Sequence, residues 1–586
     1  PHEEASGLDS PASNRVDPDE NSADAATPAD RVPPAWFGAD VEEGSTGQGL
    51  VSVLETVWHL FEDAGMAPAT LRGSDTEVYL GISSLATVES DLPVALPASH
   101  AISNRISFEF DFRGPSQAVD TGCSSSLAAL ARGTERLRQR RCGLAVVGGV
   151  NVIAPMCGED ARASENLDGG IGMVLLKRLD DALRDGDRIH AVVAAVAENH
   201  GGRTLSLAAP SVEAQRELLV AAYRQAGVGV AGIGHIELHG AGTAVADTIE
   251  CEALRDAFTE LRERQAVSRE APRCTLGAIG RRFGPLGAAG GMVGVIKTAL
   301  MLRHRIIPGH PPLLDTRLVD LEGSGLEAVG EAARPWPAPH DTQPRCAGVS
   351  SFGATGANAH AVLLEHVAVA IHRPAGMPPP DSARMFLLSA HSETALRAQA
   401  RALAAHLARR TSACDIMADP RGQVLHDMAY TLQTGRDALP WRFGVVATTS
   451  DALQRQLRLF GEDPTQGRAA LAEFRVAHVE PLHPDFSDDE DMQALVRQWL
   501  EKGKWMHVLR LWLDGVSIDW RAAYRTRPGA LTDLPPYPFP STAALREAGT
   551  DGTVAEVHAG SCGGRSRGRR THPSSAHRRT GTPRTY

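Results

Sequence analysis

The chain has 586 residues, 42% of them hydrophobic and 22% charged, enough for a sizeable core and for more than one domain. Its net charge of −12 sits unevenly: residues 1–50 carry eleven acids against two Arg, and residues 560–586 carry seven Arg and no acid. The nearly neutral body has no basic patch interleaved with aromatics, which argues against nucleic acid as a partner, and no uncharged apolar run reaches the roughly 18 residues of a membrane span.

Eight Cys (123, 142, 157, 251, 274, 346, 414 and 562) form no CxxC pair and no regular spacing, which argues against a disulfide framework or a zinc site. With no charged-then-apolar leader, the expectation is a soluble cytoplasmic protein. Residues 1–46, rich in Asp, Glu, Ala, Ser and Pro, lack a hydrophobic period and predict a disordered acidic segment. Val53, Leu54, Val57, Leu60 and Phe61 then make a helical stripe with Gly65 as C-cap, and Val78–Ile82 reads as a buried strand. A β-prone run from Ser116 to Val119, read as buried, reaches a tight polar turn. The segment from Leu127 to about Leu137 that follows keeps Leu127, Leu130 and Leu137 on one helical face. Cys123 therefore sits where a strand hands over to a helix N-terminus, where unpaired N–H groups and the helix dipole favour a thiolate, the reactive form of a nucleophile. The plain alternative is a buried small hydrophobe.

Leu144–Val150, Met173–Leu176 and 189–197 read as strands, with helices over 179–184 and 211–226. Ile236-Glu237-Leu238 leads into the turn His239-Gly240-Ala241-Gly242 and another helix, with Asp247 and Glu250 on it. A lone His at such a place is a catalyst or a structural hydrogen bonder. The alternation of apolar strands and helices indicates an α/β class with buried strands. Residues 372–381 are Pro-rich and read as a linker. Strands over 385–388 and 441–448, a helix over 393–410 and two helices in 490–524 follow, and beyond about Arg546 the Gly/Ser/Arg-rich tail predicts disorder.

Asp120-Thr-Gly-Cys-Ser-Ser-Ser-Leu127 resembles the active-site signature of β-ketoacyl synthases, the ketosynthase domains of polyketide and fatty acid synthases, with Gly122 where the family usually has Ala. "LETVWHLFEDAGMAPATLRGSDTEVYLGI", "HGAGTAVADTIECEAL", "LGAIGRRFGPLGAAGGMVGVIKTALMLRH" and "AGVSSFGATGANAHAVLLEH" resemble further family segments in the expected order. "AYTLQTGRDALPWRFGVVA" and "LPPYPFP" resemble the linker domain and wrap-around tail that follow ketosynthases, in the arrangement of polyketide synthases served by a separate acyltransferase. The resemblance implies a thiolase-like layered α/β/α/β/α domain over 47–366 and a small α/β linker domain over 367–545, between the acidic segment 1–46 and an Arg-rich tail 546–586. It implies Cys123 as nucleophile, His239 as hydrogen-bond donor to the enolate or oxyanion, and the backbone N–H groups of Cys123 and Phe352, in the loop Ser351-Phe352-Gly353, as oxyanion hole. No metal and no tightly bound cofactor is implied. The substrate arrives on the phosphopantetheine arm of an acyl carrier protein, and the partners are that carrier, neighbouring synthase domains and a second copy in a homodimer.

The sequence also departs from the family. Gly280 takes the place of the family's Lys, Arg282 that of an Asn, Pro285 that of the second catalytic His, and Gly287 that of a Glu. The family's opening strand has no counterpart before the first helix, and the stretch between Asn151 and Asp168 is short. Three readings stay open: a ketosynthase that takes and passes on acyl chains but condenses poorly, one that still condenses through another group, and a non-catalytic scaffold or decayed module.

Overall fold

The computed structural model describes residues 45–83, 99–151, 170–267, 273–311, 321, 324–339, 343–367, 383–412, 423–462, 474–479, 489–524 and 529–540. The acidic segment up to residue 44, the short stretch 152–169 and the Arg-rich tail lie outside them. The described residues as far as Phe539 belong to one compact unit.

Helix α1 (Ser45–Ala64) buries Val53, Leu54, Val57 and Phe61 completely and ends at Gly65, whose φ of +65° and N–H to Glu62 O complete the expected cap. Strand β1 (Glu77–Ile82) is buried throughout. Then come α2 (Ser99–Phe110), β2 (Ser116–Val119), α3 (Ser125–Arg138), β3 (Leu144–Asn151) and β4 (Gly170–Lys177). These strands form a sheet in the order β2-β1-β3-β4, with β1 parallel to β2 and β3 and β4 antiparallel to β3. The strand before Cys123, expected to be buried, is instead a half-buried edge strand: among the described residues β2 pairs with β1 alone.

A short helix α4 (Leu179–Asp185) leads to β5 (Val192–His200), three residues later than the 189–197 expected, because the apolar Ile189 and Ala191 belong to the connection. Next are α5 (Val212–Ala226), β6 (Ile233–Glu237), α6 (Ala244–Arg264), β7 (Cys274–Gly277), the single turn α7 (Gly280–Phe283) and α8 (Gly290–His304). A small ribbon pairs β8 (Ile306–Ile307) with β10 (Arg334–Pro335), and β9 (Leu326–Ala328), β11 (Cys346–Phe352) and β12 (Ala357–Leu364) complete a second sheet ordered β5-β12-β11-β6-β7-β9.

The sheets meet through α3 and α8. Ser126 Oγ accepts the N–H of Met292 at 3.1 Å, and a methyl added at Gly291 would lie 2.8 Å from Leu127 Cγ and 3.0 Å from Ser126 Oγ. A methyl at Gly149 would lie 2.7 Å from Ser126 Cβ, and one at Gly81 would overlap the backbone of Ser125 and Ser126. Small residues on three elements thus let the first turn of α3 settle between the two halves.

The C-terminal part forms a three-stranded antiparallel sheet of β13 (Arg384–Ala390), β14 (Trp441–Ala447) and β15 (Phe474–His478), with α9 (Glu393–Ser412), α10 (Gln423–Thr434), α11 (Ser450–Glu462), α12 (Glu490–Glu501), α13 (Trp505–Leu513) and α14 (Trp520–Ala523). It shares one hydrophobic cluster with the first sheet, running from Val57, Phe61 and Leu80 to Phe386, Leu432, Phe443 and Tyr537. Glu62, nearly fully buried, accepts the Tyr537 N–H at 2.7 Å and pairs with Arg436 at 3.2 Å, and His59 Nε2 meets Tyr537 O at 2.8 Å.

Gly→Ala inside a helix ordinarily stabilises it by about 1 kcal/mol. At Gly291 the added methyl meets fully buried neighbours, so Gly291→Ala should instead destabilise the protein by about 1–3 kcal/mol. Urea unfolding with an unchanged slope and a lower midpoint checks this, and a raised midpoint would show that the halves meet elsewhere.

Candidate active site

The turn before α3 is held by its own hydroxyls. Thr121 N–H donates to Ser125 Oγ at 2.9 Å, Ser124 Oγ donates to Thr121 O at 2.9 Å, and Gly122 adopts φ +68°. Ser351 Oγ, at the end of β11, donates to Cys123 O at 2.8 Å and ties this turn to the second half. A methyl at Gly353 would lie 2.5 Å from Thr121 O, so only Gly lets the two backbones come this close. Ser351 and Phe352 close strand β11 rather than lying in a loop, and the turn begins at Gly353.

His239 follows β6 in a turn in which Gly240 and Gly242 have φ of +57° and +79°. Both oxygens of Glu250, on the second turn of α6, accept from this turn: the His239 N–H at 2.8 Å and the Gly240 N–H at 3.0 Å. The imidazole lies edge-on to Phe352, with ring centroids 6.0 Å apart. One cavity of 360 Å³ is lined by Cys123, His239 and Phe352 together with Gly280, Pro285 and Gly287. Six of the positions named from the sequence therefore face one space contributed by both halves of the fold, while Arg282 and Asp247 do not line it.

The electrostatics differ from the sequence expectation at Cys123. Burial raises its thiol pKa above the ordinary cysteine value, and a hydrogen bond from its own backbone N–H opposes the shift only in part. This shift runs against the thiolate that a helix N-terminus favours. Burial also pulls the His239 pKa down to about 4, leaving a neutral imidazole able to donate one hydrogen bond. Glu250, pushed up to about 7 by burial against its two N–H donors, is the site residue to which the sequence reading gave no role. A Glu on the helix that follows a Gly-rich turn was its only signal.

Around Gly280 and Gly287 the space is uneven. A methyl at Gly280 would meet only Gly240 O at 3.7 Å, so a side chain fits there. Gly287 has φ +50°, and a methyl would lie 3.0 Å from the Asn151 amide, so a longer side chain does not fit without movement. Deeper in, Lys297 Nζ bonds Glu237 Oε2 at 2.6 Å and His235 Nε2 lies 3.3 Å from the same oxygen. Burial works against the Glu237 charge, but His235 and Lys297 hold its pKa below the usual carboxylate value.

A two-halved α/β fold with a Cys at the head of the central helix, facing a His from the other half, is the thiolase-like layout of the acyl-condensing enzymes. The model of the β-ketoacyl synthase N-terminal domain matches residues 4–163, starting inside the acidic segment, the C-terminal domain model matches 190–313, and a RhiE-like KS-MAT linker domain matches 387–463. A ketosynthase from module 6 of the bacillaene synthase of Bacillus subtilis 168 superimposes with a TM-score of 0.70 at 30% identity, covering 84% of each chain. The chain belongs to the β-ketoacyl synthase family, a family of transferases. It is 32% identical over 546 residues to the polyketide synthase PksN of Bacillus subtilis (strain 168), and 34% identical over 530 residues to the polyketide synthase ThaG of Burkholderia thailandensis. The alignments cover 86% and 83% of this chain but only 10% and 9% of those proteins, so the chain spans about a tenth of the length of these curated relatives. No helix among the described residues is long and apolar enough to cross a membrane.

With a raised thiol pKa, alkylation at Cys123 should accelerate by about tenfold per pH unit from about pH 7 to about pH 9 without levelling off. Iodoacetamide labelling followed by peptide mass spectrometry, with Cys123→Ser as blank, reads this directly. A plateau below about pH 8 would mean that the helix N-terminus wins after all.

Proposed function

We propose that this chain is a polyketide synthase ketosynthase domain that takes an acyl chain from an acyl carrier protein onto Cys123 and condenses it poorly. The observation that carries the reading is the single cavity in which Cys123 and His239 face Gly280 and Pro285. In the first step Cys123 sulfur, after losing its proton, attacks the thioester carbonyl of the carrier's phosphopantetheine arm. The backbone N–H groups of Cys123 and Phe352 receive the oxyanion, the bond from carbon to the arm's sulfur breaks, and the arm leaves as a thiolate that takes up a proton. No metal or tightly bound cofactor takes part.

The second step decarboxylates a malonyl-type extender, and enolate charge develops on its thioester oxygen. Neutral His239 supplies one hydrogen bond to that oxygen. Pro285 has no proton to give and Gly280 no side chain. Losing one such donor costs on the order of 10² to 10³ in rate. Transacylation thus survives a change that cripples condensation. A non-catalytic scaffold is the second reading. Residual condensation through another group is the third. The division into an acidic segment, a ketosynthase domain to 366, a linker domain to 545 and a tail, and the homodimer with its neighbouring synthase domains, belong to the same proposal.

The test is the intact mass of the protein after incubation with an acyl carrier protein thioester. A gain of one acyl group that Cys123→Ala abolishes is expected, and no gain in folded protein would sink the proposal in favour of the scaffold. Carbon dioxide release from malonyl carrier protein should be near background. It should rise on the order of 10² in the double variant Pro285→His with Gly280→Lys, for which the cavity has room at 280. Brisk release by the unmodified protein would instead establish the third reading.

A further inference from the structure

On the second-half side of the cavity that holds Cys123, polar side chains satisfy one another. Both oxygens of Glu250 accept from the His239 turn, and Ser350 Oγ is bonded to His360 Nδ1 at 3.0 Å. Asn358 Nδ2 donates to Asn199 Oδ1 at 3.1 Å, and Asn199 Nδ2 in turn to Ala214 O at 2.7 Å. Ser211 Oγ caps α5 by accepting the Ala214 N–H at 3.2 Å. Gln215, in the first turn of α5, breaks this pattern. It lines the same cavity and is only 2% exposed, yet its Oε1 has no hydrogen-bond partner among the described residues. Buried polar atoms are ordinarily paired, so an amide oxygen left over in a cavity wall marks the place of a donor that arrives from outside.

The start of α5 stands against the turn after β11. A methyl at Gly201 would lie 3.8 Å from Ser211 Cβ and 3.7 Å from Gly356 O, and the Gly356 N–H donates to Gly353 O at 3.0 Å. Gly353 in turn abuts Thr121 O, two residues before Cys123. Gln215 thus belongs to a wall that continues into the Cys123 turn. Gly201, Ala208, Ala209, Ala246 and Gly356 line the cavity as well. Such small residues leave room for a slim chain and offer it no hydrogen bond from a side chain. Glu237 Oε1 is also unpaired, but Lys297 and His235 hold the other oxygen and the charge, which matches a cation. The neutral oxygen of Gln215 suits a neutral N–H.

We propose that Gln215 Oε1 accepts an amide N–H of the arm that delivers the acyl chain, and so selects thioesters carried on an amide-bearing arm. This rests on the reading of Cys123 as the acyl acceptor. The phosphopantetheine arm alternates short methylene runs with two secondary amides. Small apolar walls face the methylenes, and the one open acceptor takes an N–H that would otherwise be buried without a partner. The contact holds the arm while its thioester carbonyl is attacked and takes no part in the bond changes.

The experiment follows acetylation of the full 586-residue protein by intact mass, with Cys123→Ala as blank. One donor is the acetyl thioester of N-(acetyl-β-alanyl)cysteamine, which carries both amides of the arm and no hydroxyl. A second is the same thioester methylated on both amide nitrogens, and a third is S-ethyl thioacetate, which has no amide. In the parent protein N-methylation should slow acetylation about tenfold. Gln215→Met, close in volume and without an oxygen, should slow the amide donor by the same factor and leave S-ethyl thioacetate unchanged. Gln215→Glu, which keeps an acceptor in place, should retain the preference for the amide donor over its methylated form. A parent that takes the methylated donor as fast as the amide donor would overturn the inference whatever the variants do. So would an equal effect of Gln215→Met on the amide donor and S-ethyl thioacetate, and in either case acylation of Cys123 would stand. No acetylation of the folded parent by any donor would overturn the reading of Cys123 and this inference with it.

Discussion

The whole molecule depends on how closely backbone can approach backbone around Ser126. Three elements from both halves, at Gly81, Gly149 and Gly291, press on the first turn of α3, and none of them has room for a methyl group. Helix α3 is therefore the shared axis of the fold rather than a helix of one half. Cys123 stands just ahead of that axis, and Ser351 reaches across from β11 to hold its carbonyl. The position of Cys123 is set by packing between halves, so an alteration far from the cavity can displace it.

The proton landscape of the cavity follows from its enclosure. Burial acts on every ionisable group in it and favours the neutral form: a thiol at Cys123, an uncharged imidazole at His239, a carboxyl near its midpoint at Glu250. The ion pair of Glu237 with Lys297 survives because the charges are in contact. A site built this way suits charge that appears briefly, in an oxyanion or enolate, better than charge held at rest. Pro285, which lines the same cavity, has no proton to donate to such charge.

Much of this was legible in the sequence, where local chemistry decides. The stripe from Val53 to Phe61, the cap at Gly65, the buried strand at Val78 and the His239 turn follow from periodicity and from glycine's backbone freedom. What was not legible depends on distant partners. The thiolate expected at Cys123 rested on a local helix terminus, and tertiary burial works against it. The half-buried state of β2 reflects its edge position, which residues 116–119 do not encode. Glu250 clamps a turn ten residues earlier, and Glu62 meets Tyr537 across 475 residues of chain.

The shared core between α1 and the C-terminal sheet bears on how such chains can be recombined. Gly435 packs against Gly65 so closely that a methyl there would lie 2.9 Å from the Gly65 Cα, and Arg436, partly buried at the junction, pairs with Glu62. A crossover placed at the Pro-rich stretch near residue 375 would strand the buried Glu62 carboxylate on one fragment and its partly buried Arg436 partner on the other. Exchange of segments is then least disruptive beyond Phe539, where the compact unit ends.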